Sequence, residues 1–375
     1  MALVALQLVP LPPSFWTALP GRDEFGTLLE AVGVHDVWRP LALVPDGALN
    51  ALSSLLVPLA ALLGMSALPA GYARWPLYAL STIVGASALV ALIQLSSGSF
   101  SNPFINDALD QPAGLFANRN HQALFLNLGI LLALGWGFNP SRRLDPRSWA
   151  ALGFVGLLAL LVVATGSRAG LGLLAVACLS GAAVAWPAIE RATRRTARWV
   201  RPAITTLPLI MAGALILISV GTGRATALDR LFAVEVAGDM RGKAVPTLHT
   251  MIDTFFPVGS GLGSFDQMFR MNEPFELLKP SYFNHAHNDY TELLIEAGLA
   301  GIMLLICAGA WWATASWRAW RADPVYSFHA RLGSMMILLV LLASAVDYPA
   351  RTPLIMVVLA VAASWLAAPS ARVQS

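Results

Sequence analysis

The feature that most constrains the fold of this chain is a series of apolar runs, each about 20 residues long, separated by short polar breaks. An α-helix of that length crosses the roughly 30 Å hydrocarbon core of a bilayer. Only 12% of the 375 residues are charged, about half the share of an ordinary soluble protein. A β-barrel would instead alternate apolar and polar residues over segments of about ten. The sequence therefore predicts an all-α, polytopic transmembrane helical bundle.

The apolar runs also predict how the chain is divided. Nine spans are expected, at about 49–68, 76–96, 121–138, 149–166, 169–188, 202–221, 291–317, 332–347 and 353–368. The apolar residues 1–11 are too short to cross a bilayer and suggest an incomplete tenth helix. We therefore expect amino-terminal transmembrane helices at 1–221, one long periplasmic loop at 222–290 and carboxy-terminal transmembrane helices at 291–375.

Arginines in the short loops predict the orientation. Every second loop is rich in them, as at Arg142, Arg143 and Arg147, and the positive-inside rule makes those loops cytoplasmic. This also explains the pI near 9.1 without a nucleic-acid partner. The opposite loops carry the unusual polar sequences "LFANRNHQA", "ATGSRAG", "NHAHNDY" and "VDYPARTP". One extracytoplasmic site at the membrane surface is therefore predicted.

Three cationic residues are candidates for binding an anion. Arg168, in "ATGSRAG", lies between two spans, where an arginine either snorkels to the interface or binds an anion. Arg241 and Lys243 follow Asp239 in the long loop and could grip a phosphate, although a solvated charged loop has the same appearance. The nearby "GSGLGS" turn lacks the Lys-Ser or Lys-Thr of a nucleotide loop, so we expect it to bring the backbone close to a membrane-surface ligand.

The stretch "NHAHNDY" offers a base or a metal ligand set. His285, His287 and Asp289 occupy alternate positions and would share one face of a strand, as metal ligands must. A helix that begins by Asp289 breaks that geometry, so no metal is expected. One histidine could instead be a general base. The alternative is helix capping by Asn288 or Asp289, with Glu292 completing a capping box.

Further polar residues lie at the outer ends of two other spans. Arg119 and His121 begin one span, and Asp347 and Arg351 end another in a segment with two prolines. Helix capping is the alternative explanation for the first pair, and neither motif is specific by itself. Taken together, they predict a cavity lined by cations, amides and one or two bases, and we assign substrate binding to these four residues and to Lys243, Asn288 and Asp289.

These motifs resemble the bacterial O-antigen ligase and Wzy-type polymerase superfamily of membrane glycosyltransferases. Its signature is a histidine, then Asn, Ser or Gln, nine residues, a glycine, two residues and a small residue or Tyr. The sequence "HNDYTELLIEAGLAG" matches it at His287, Asn288, Gly298 and Gly301. "NRNH", "SRAG", "DYPART" and the position of Arg241 are similar to the family as well, and the resemblance extends over most of the chain from about residue 40.

The resemblance implies an activity and partners. The family's reaction is a metal-independent, inverting transfer of a glycan from undecaprenyl diphosphate on the periplasmic side of the inner membrane, without a cofactor. By resemblance, Arg168 and Arg241 bind the diphosphate and His287 deprotonates the acceptor hydroxyl, while His285 has no assigned role. The implied partners are another glycan or lipid A core as the acceptor, together with membrane lipids. The segment "VPLPPSFWTALPGR" is similar to members that make exopolysaccharide, which favours a polymerase.

A transporter or flippase for a lipid-linked glycan or an anionic solute is the alternative. That class is expected to carry ionisable residues near the bilayer midplane and broken helices in paired halves. The spans of this chain hold almost no charge at mid-depth and show no half-to-half repeat. The enzyme is therefore the favoured hypothesis.

Overall fold

The computed structural model describes residues 1–69, 74–97, 112–139, 145–193, 213, 240–278 and 283–368. The helices are α1 (Ala2–Gln7), α2 (Pro13–Thr17), α3 (Asp23–Ala31), α4 (Pro45–Ser54), α5 (Leu56–Ala67), α6 (Trp75–Ser97), α7 (Arg119–Gly137), α8 (Pro146–Ala164), α9 (Arg168–Thr193), α10 (Met240–Phe255), α11 (Phe265–Asn272), α12 (Asp289–Arg321), α13 (Phe328–Ser344) and α14 (Pro353–Ala367). Short 3-10 helices lie at Phe275–Leu277 and Pro349–Arg351. Two short antiparallel strands, β1 (Pro10–Leu11) and β2 (Arg39–Pro40), pair with each other.

The all-α polytopic fold is confirmed. Among the described residues, five helical segments are long and apolar enough to cross a membrane: Pro45–Ala67, Trp75–Ser96, Pro146–Ala164, Arg168–Arg191 and Asp289–Arg321. The expected spans near the carboxy terminus are the shorter apolar helices α13 and α14. The expected span at 202–221 lies outside the described residues, apart from residue 213, as do Arg142, Arg143 and Asp239. The total number of spans stays a prediction.

The chain folds as two compact units. Unit 1 comprises Met1–Ala60, Glu235–Trp311 and Ser344–Pro353. Unit 2 comprises Ala61–Val234, Trp312–Ala343 and Leu354–Ser375. Both units are therefore assembled from segments that are distant in sequence.

Helix α7 forms the centre of unit 2. It packs against α6, α8 and α9, and its residues from His121 to Gly135 are all buried. Small residues allow neighbouring helices to approach it closely, because a Cβ on Gly170 would collide with Ala123 and one on Gly137 would collide with Ala151. Although the sequence predicted a membrane span here, α7 does not belong to the five apolar segments, since its first turns carry arginine, amides and histidine.

Unit 1 has a separate core built around α10. Ala244, Leu248, Met251 and Phe255 recur at helical spacing along one face of α10, and all four are buried. They pack with apolar residues of α11, the loop before α12 and α12 itself, namely Phe265, Met268, Phe269, Leu277, Phe283, Ala286 and Ile295. The described part of the predicted long loop is therefore largely helical and has its own core.

Two buried polar side chains connect the amino-terminal segment to the rest of unit 1. The Gln7 Nε2 donates to the Glu296 carbonyl oxygen at 3.2 Å, and its Oε1 accepts from the Leu262 amide at 3.0 Å. Arg22 is fully buried and donates to the carbonyl oxygens of Pro20, Leu41 and Gly259 at 2.7, 2.7 and 3.0 Å. Burial lowers the pKa of Arg22 to about 10, so the guanidinium stays charged at neutral pH.

Candidate functional site

His287 and Asp347 form a hydrogen-bonded pair in unit 1. The His287 Nδ1 lies 3.2 Å from the Asp347 Oδ1, and the two side chains are 21% and 3% exposed. A buried carboxylate requires donors, so we assign the proton of neutral His287 to Nδ1, where it is donated to Asp347. This tautomer leaves the Nε2 lone pair able to accept a proton from another molecule.

Arg241 lies beside the same pair. Its Nη2 is 3.2 Å from the His287 Nδ1 and 3.5 Å from the Asp347 Oδ2, while its Nη1 donates to the Val346 carbonyl oxygen at 3.0 Å. The ring nitrogen either donates to Asp347 or accepts from Arg241, because it cannot do both. We take the first assignment, since Arg241 has the second carboxylate oxygen of Asp347 and the Val346 carbonyl as acceptors. The side chain of Arg241 is 39% exposed, so part of it faces outward.

The backbone around His287 is tightly specified. His287 has a φ of +50°, a region that costs a non-glycine residue about 1 to 3 kcal/mol. Directly after it, the Asn288 Oδ1 accepts from the amides of Tyr290 and Thr291 at 3.0 Å each, and the Asn288 Nδ2 donates to the Ala345 carbonyl at 2.9 Å. Capping by Asn288 is therefore confirmed, and the neighbouring histidine is fixed at the start of α12.

The alternative cap at Asp289 is wrong, and the side chains of His285 and Asp289 have separate partners. The Asp289 amide donates to the Asp347 carbonyl at 3.3 Å, while Glu292 accepts from the Ala286 amide at 2.8 Å, so Asp289 and Glu292 form no capping box. The His285 ring pairs with Glu292, whereas the Asp289 Oδ2 accepts from the Ser344 hydroxyl at 2.7 Å. Within the described residues, no group of three or more His, Cys, Asp or Glu side chains could hold a metal ion.

Arg351 is the centre of an ion-pair network. It lies 3.6 Å from Asp289, 3.1 Å from Glu292 and 3.0 Å from Glu296, which share one face of α12 because their spacing follows the helical repeat. Burial lowers the pKa of Arg351, but the charges of Glu296, Glu292 and Asp289 outweigh burial and hold that pKa above its ordinary value. A substrate anion would compete with three carboxylates, so this geometry does not support the predicted substrate-binding role of Arg351 and Asp289.

The glycine-rich turn is occupied by a carboxylate of the chain itself. The Glu296 Oε1 accepts from the amides of Gly263 and Phe265 at 2.9 and 3.1 Å, where α11 begins. Gly259, Gly261 and Gly263 have φ values of +89°, +102° and +83°, which only glycine adopts readily. The expected approach of this turn to a ligand stays a prediction, because its described neighbours belong to unit 1 itself.

The signature glycines of α12 have a steric explanation. At Gly298 the helix is interrupted, with a φ of +52° and a ψ of −135°. The next amide, that of Leu299, donates to the Pro257 carbonyl at 2.9 Å instead of continuing the helix, and a Cβ on Gly298 would collide with that carbonyl. A Cβ on Gly301 would lie 2.9 Å from the Leu293 carbonyl. The first glycine of the histidine signature therefore marks the point at which α12 contacts the Pro257 carbonyl.

Unit 2 contains the other predicted site residues. Arg168 is exposed at the first residue of α9. The preceding Ser167 donates to the Asn120 Oδ1 at 2.7 Å and accepts from the Gly170 amide at 2.9 Å, so "NRNH" and "SRAG" are in contact. Arg119 is half-buried at the start of α7, while His121 is buried against Phe116, which does not favour direct substrate contact by His121.

The structure thus groups the predicted residues by unit. Unit 1 holds Arg241, Lys243, His287, Asn288, Asp289, Asp347 and Arg351, and unit 2 holds Arg119, His121 and Arg168. Lys243 is exposed on α10 close to Arg241 in sequence. The sequence predicted only a capping role for Glu292 and no role for Glu296, although both are fully buried. The available signal was two acidic residues inside an apolar run, because buried carboxylates require partners.

A multi-pass helical membrane protein with a histidine–carboxylate pair beside a partly exposed arginine is the class that this fold and site define. Residues 152–306 match the family model described as O-antigen ligase. Over these residues, the match supports the resemblance to the O-antigen ligase and Wzy-type superfamily. This family implies a glycosyltransferase-like enzyme with lipid-linked glycan substrates. No curated protein matches the chain.

Proposed function

We propose that this protein is an inner-membrane glycosyltransferase that transfers or polymerises undecaprenyl-diphosphate-linked glycan on the periplasmic side. The single observation that carries the proposal is the His287–Asp347 pair with Arg241 at its side, because His287 and Arg241 lie inside the matched O-antigen ligase region. The exposed Arg168 also lies in that region.

His287 acts as the general base in this proposal. Its Nε2 accepts the proton of an acceptor hydroxyl while Nδ1–H stays hydrogen-bonded to Asp347, so the imidazolium that forms is paired with a carboxylate. The acceptor oxygen attacks the anomeric carbon from the face opposite the diphosphate. The new glycosidic bond forms as the bond to the diphosphate breaks, which inverts the configuration.

Arginines stabilise the leaving group in the same proposal. The electron pair of the broken bond goes to the diphosphate, whose negative charge Arg241 and Arg168 stabilise, with Lys243 as an additional point charge. One preorganised donor of this kind contributes about 10² to 10³ in rate. Because the cations supply the charge stabilisation, the reaction as proposed needs neither a metal nor a cofactor.

The acceptor separates the two activities within this proposal. Transfer to lipid A core would make the protein a ligase, and transfer to another lipid-linked glycan would make it a polymerase. We favour the polymerase because of the amino-terminal "VPLPPSFWTALPGR" segment. Products made with each acceptor in turn distinguish the two.

The test is turnover by His287→Ala. Purified protein in lipid nanodiscs is incubated with lipid-diphosphate oligosaccharide and acceptor, with and without EDTA, and the products are separated by gel and mass spectrometry. We expect a loss of about 10² to 10⁴ in rate, the contribution of a general base. The matched control is His249→Ala, since His249 is an exposed histidine of α10 in the same unit.

Two results would contradict the proposal. Full turnover by a folded His287→Ala protein would remove the base assignment. Loss of parent turnover in EDTA that returns with added Mg²⁺ would remove the metal-independent mechanism.

A further inference from the structure

We propose that Glu292, with its charge compensated by Arg351, is a positioning residue that holds the turn carrying His287. The inference rests on the proposed function, since it concerns the accuracy with which the base is placed. It also gives His285, which has no role in the proposed reaction, a place in the site. Neither Glu292 nor the Glu292–Arg351 pair takes part in proton or glycosyl transfer as proposed.

Glu292 is hydrogen-bonded to the two residues that precede His287. Its Oε1 lies 2.8 Å from the His285 Nδ1, and its Oε2 accepts from the Ala286 amide at 2.8 Å. The Glu292 side chain is only 1% exposed, so both hydrogen bonds are sheltered from competing water. One carboxylate therefore fixes the backbone and a side chain directly before the strained His287.

Arg351 connects Glu292 to the segment that carries Asp347. Its Nη1 lies 3.1 Å from the Glu292 Oε1, and its amide donates to the Tyr348 carbonyl at 3.3 Å, so it belongs to the turn that directly follows Asp347. A buried carboxylate needs such a cation to stay charged. The ion pair thus ties the His287 turn to the Asp347 segment.

The His285 ring adds a second connection between the same two segments. It packs on the ring of Tyr348, with centroids 4.1 Å apart and planes tilted by 32°, and Tyr348 directly follows Asp347. The Tyr348 ring also lies 5.1 Å from the ring of His287. Glu292 orients His285 through Nδ1, so the same carboxylate sets this packing. We therefore assign His285 the role of setting the distance between His287 and the segment that carries Asp347.

A substitution that keeps the size of Glu292 but removes its charge tests this arrangement. In Glu292→Gln, the single amide oxygen cannot face both Ala286 and Arg351, so at least one contact becomes a donor–donor pair. We expect kcat to fall about 10²-fold, the effect of a misplacement of about 1 Å. The KM for the lipid-diphosphate donor should stay at the parent value, because the proposed diphosphate ligands are untouched.

Hydrogen exchange supplies a readout that does not depend on turnover. Mass spectrometry of peptides that cover 283–289 should show faster amide exchange in Glu292→Gln, while peptides from α10 and α11 exchange as in the parent protein. The matched control is Asp266→Asn, which removes the exposed Asp266–Arg270 ion pair of the same unit and should leave both readouts unchanged. Should Glu292→Gln fail to fold, Glu292→Asp keeps the charge, shortens the reach and is expected to give the same local pattern.

Several outcomes would overturn the inference. Parent kcat together with parent exchange at 283–289 would show that the Glu292 contacts do not position the turn. Faster exchange throughout unit 1 would assign Glu292 to general stability. An active His287→Ala protein would overturn the proposed function, whereas the exchange of 283–289 in Glu292→Gln still measures whether the turn is held.

Discussion

Replacement of Asp347 by asparagine is the sharpest test of the His287–Asp347 pair, because it changes the hydrogen-bonding pattern with little change in shape. The Asp347 Oδ1 accepts from the His287 ring at 3.2 Å and from the Tyr348 amide at 3.0 Å. In one orientation of the introduced amide, its NH₂ group donates to Nδ1 and moves the ring proton to Nε2, where the base is lost. In the other orientation, the NH₂ group faces the Arg241 guanidinium, and the carboxylate that would pair with the imidazolium is gone.

The size of the effect follows from the charge separation. Imidazolium and carboxylate with their nearest atoms 3.2 Å apart have charge centres separated by roughly 4 Å, which corresponds to about 4 kcal/mol at an effective dielectric constant near 20. That energy corresponds to about 10³ in rate. The equivalent Asp-to-Asn change in a Ser-His-Asp triad lowers kcat by about 10⁴. We therefore expect Asp347→Asn to lose about 10³ in kcat.

The measurement is single-turnover product formation with saturating donor in nanodiscs. Asp266→Asn is the matched control, since it makes the same chemical change at a partly exposed aspartate. Thermal unfolding of both variants checks that the fold is kept. A folded Asp347→Asn protein with kcat within about tenfold of the parent would refute the role of the pair, because the calculated loss of charge pairing is far larger.

Two other substitutions probe the leaving-group site and the helix interruption. Arg168→Lys should lower turnover about 10²-fold, because Lys keeps the charge but lacks the planar fork, while Arg270→Lys at a surface ion pair should have no effect; equal activity of both variants would remove Arg168 from the site. Gly298→Ala should destabilise the protein by about 1 to 3 kcal/mol, since its φ is +52° and its Cβ would meet the Pro257 carbonyl. Gly309→Ala, on the same helix with open space around it, serves as the control, and equal melting temperatures would contradict the steric argument.

Much of the fold could be predicted from the sequence, because apolar runs of about 20 residues have few alternatives to helix. The expected spans near 76–96, 149–166, 169–188 and 291–317 correspond to α6, α8, α9 and α12. The burial of most of helix α7 could not be predicted from the sequence. Its residues from His121 to Gly135 are all buried within unit 2, and hydropathy does not reveal whether an apolar side chain faces lipid or protein.

The site could be predicted only in part. The histidine motif is local, so His287 and its cap Asn288 were readable from the sequence. Its partners Arg241 and Asp347 are 46 and 60 residues away, and their convergence depends on tertiary packing. Arg351 had the appearance of a ligand-binding cation, since sequence alone does not show that three carboxylates on one face of α12 are already paired with it.

The glycine-rich turn has a consequence for ligand discovery. Its Gly263 and Phe265 amides already hold the Glu296 carboxylate, which is tethered to the same protein and so competes at an effective concentration of roughly millimolar or above. A soluble phosphate, nucleotide or anionic inhibitor would have to displace this internal competitor and leave the buried Glu296 without these two amide donors. Compound screens guided by the phosphate-loop appearance of "GSGLGS" would therefore be directed at a position that the chain's own side chain already fills.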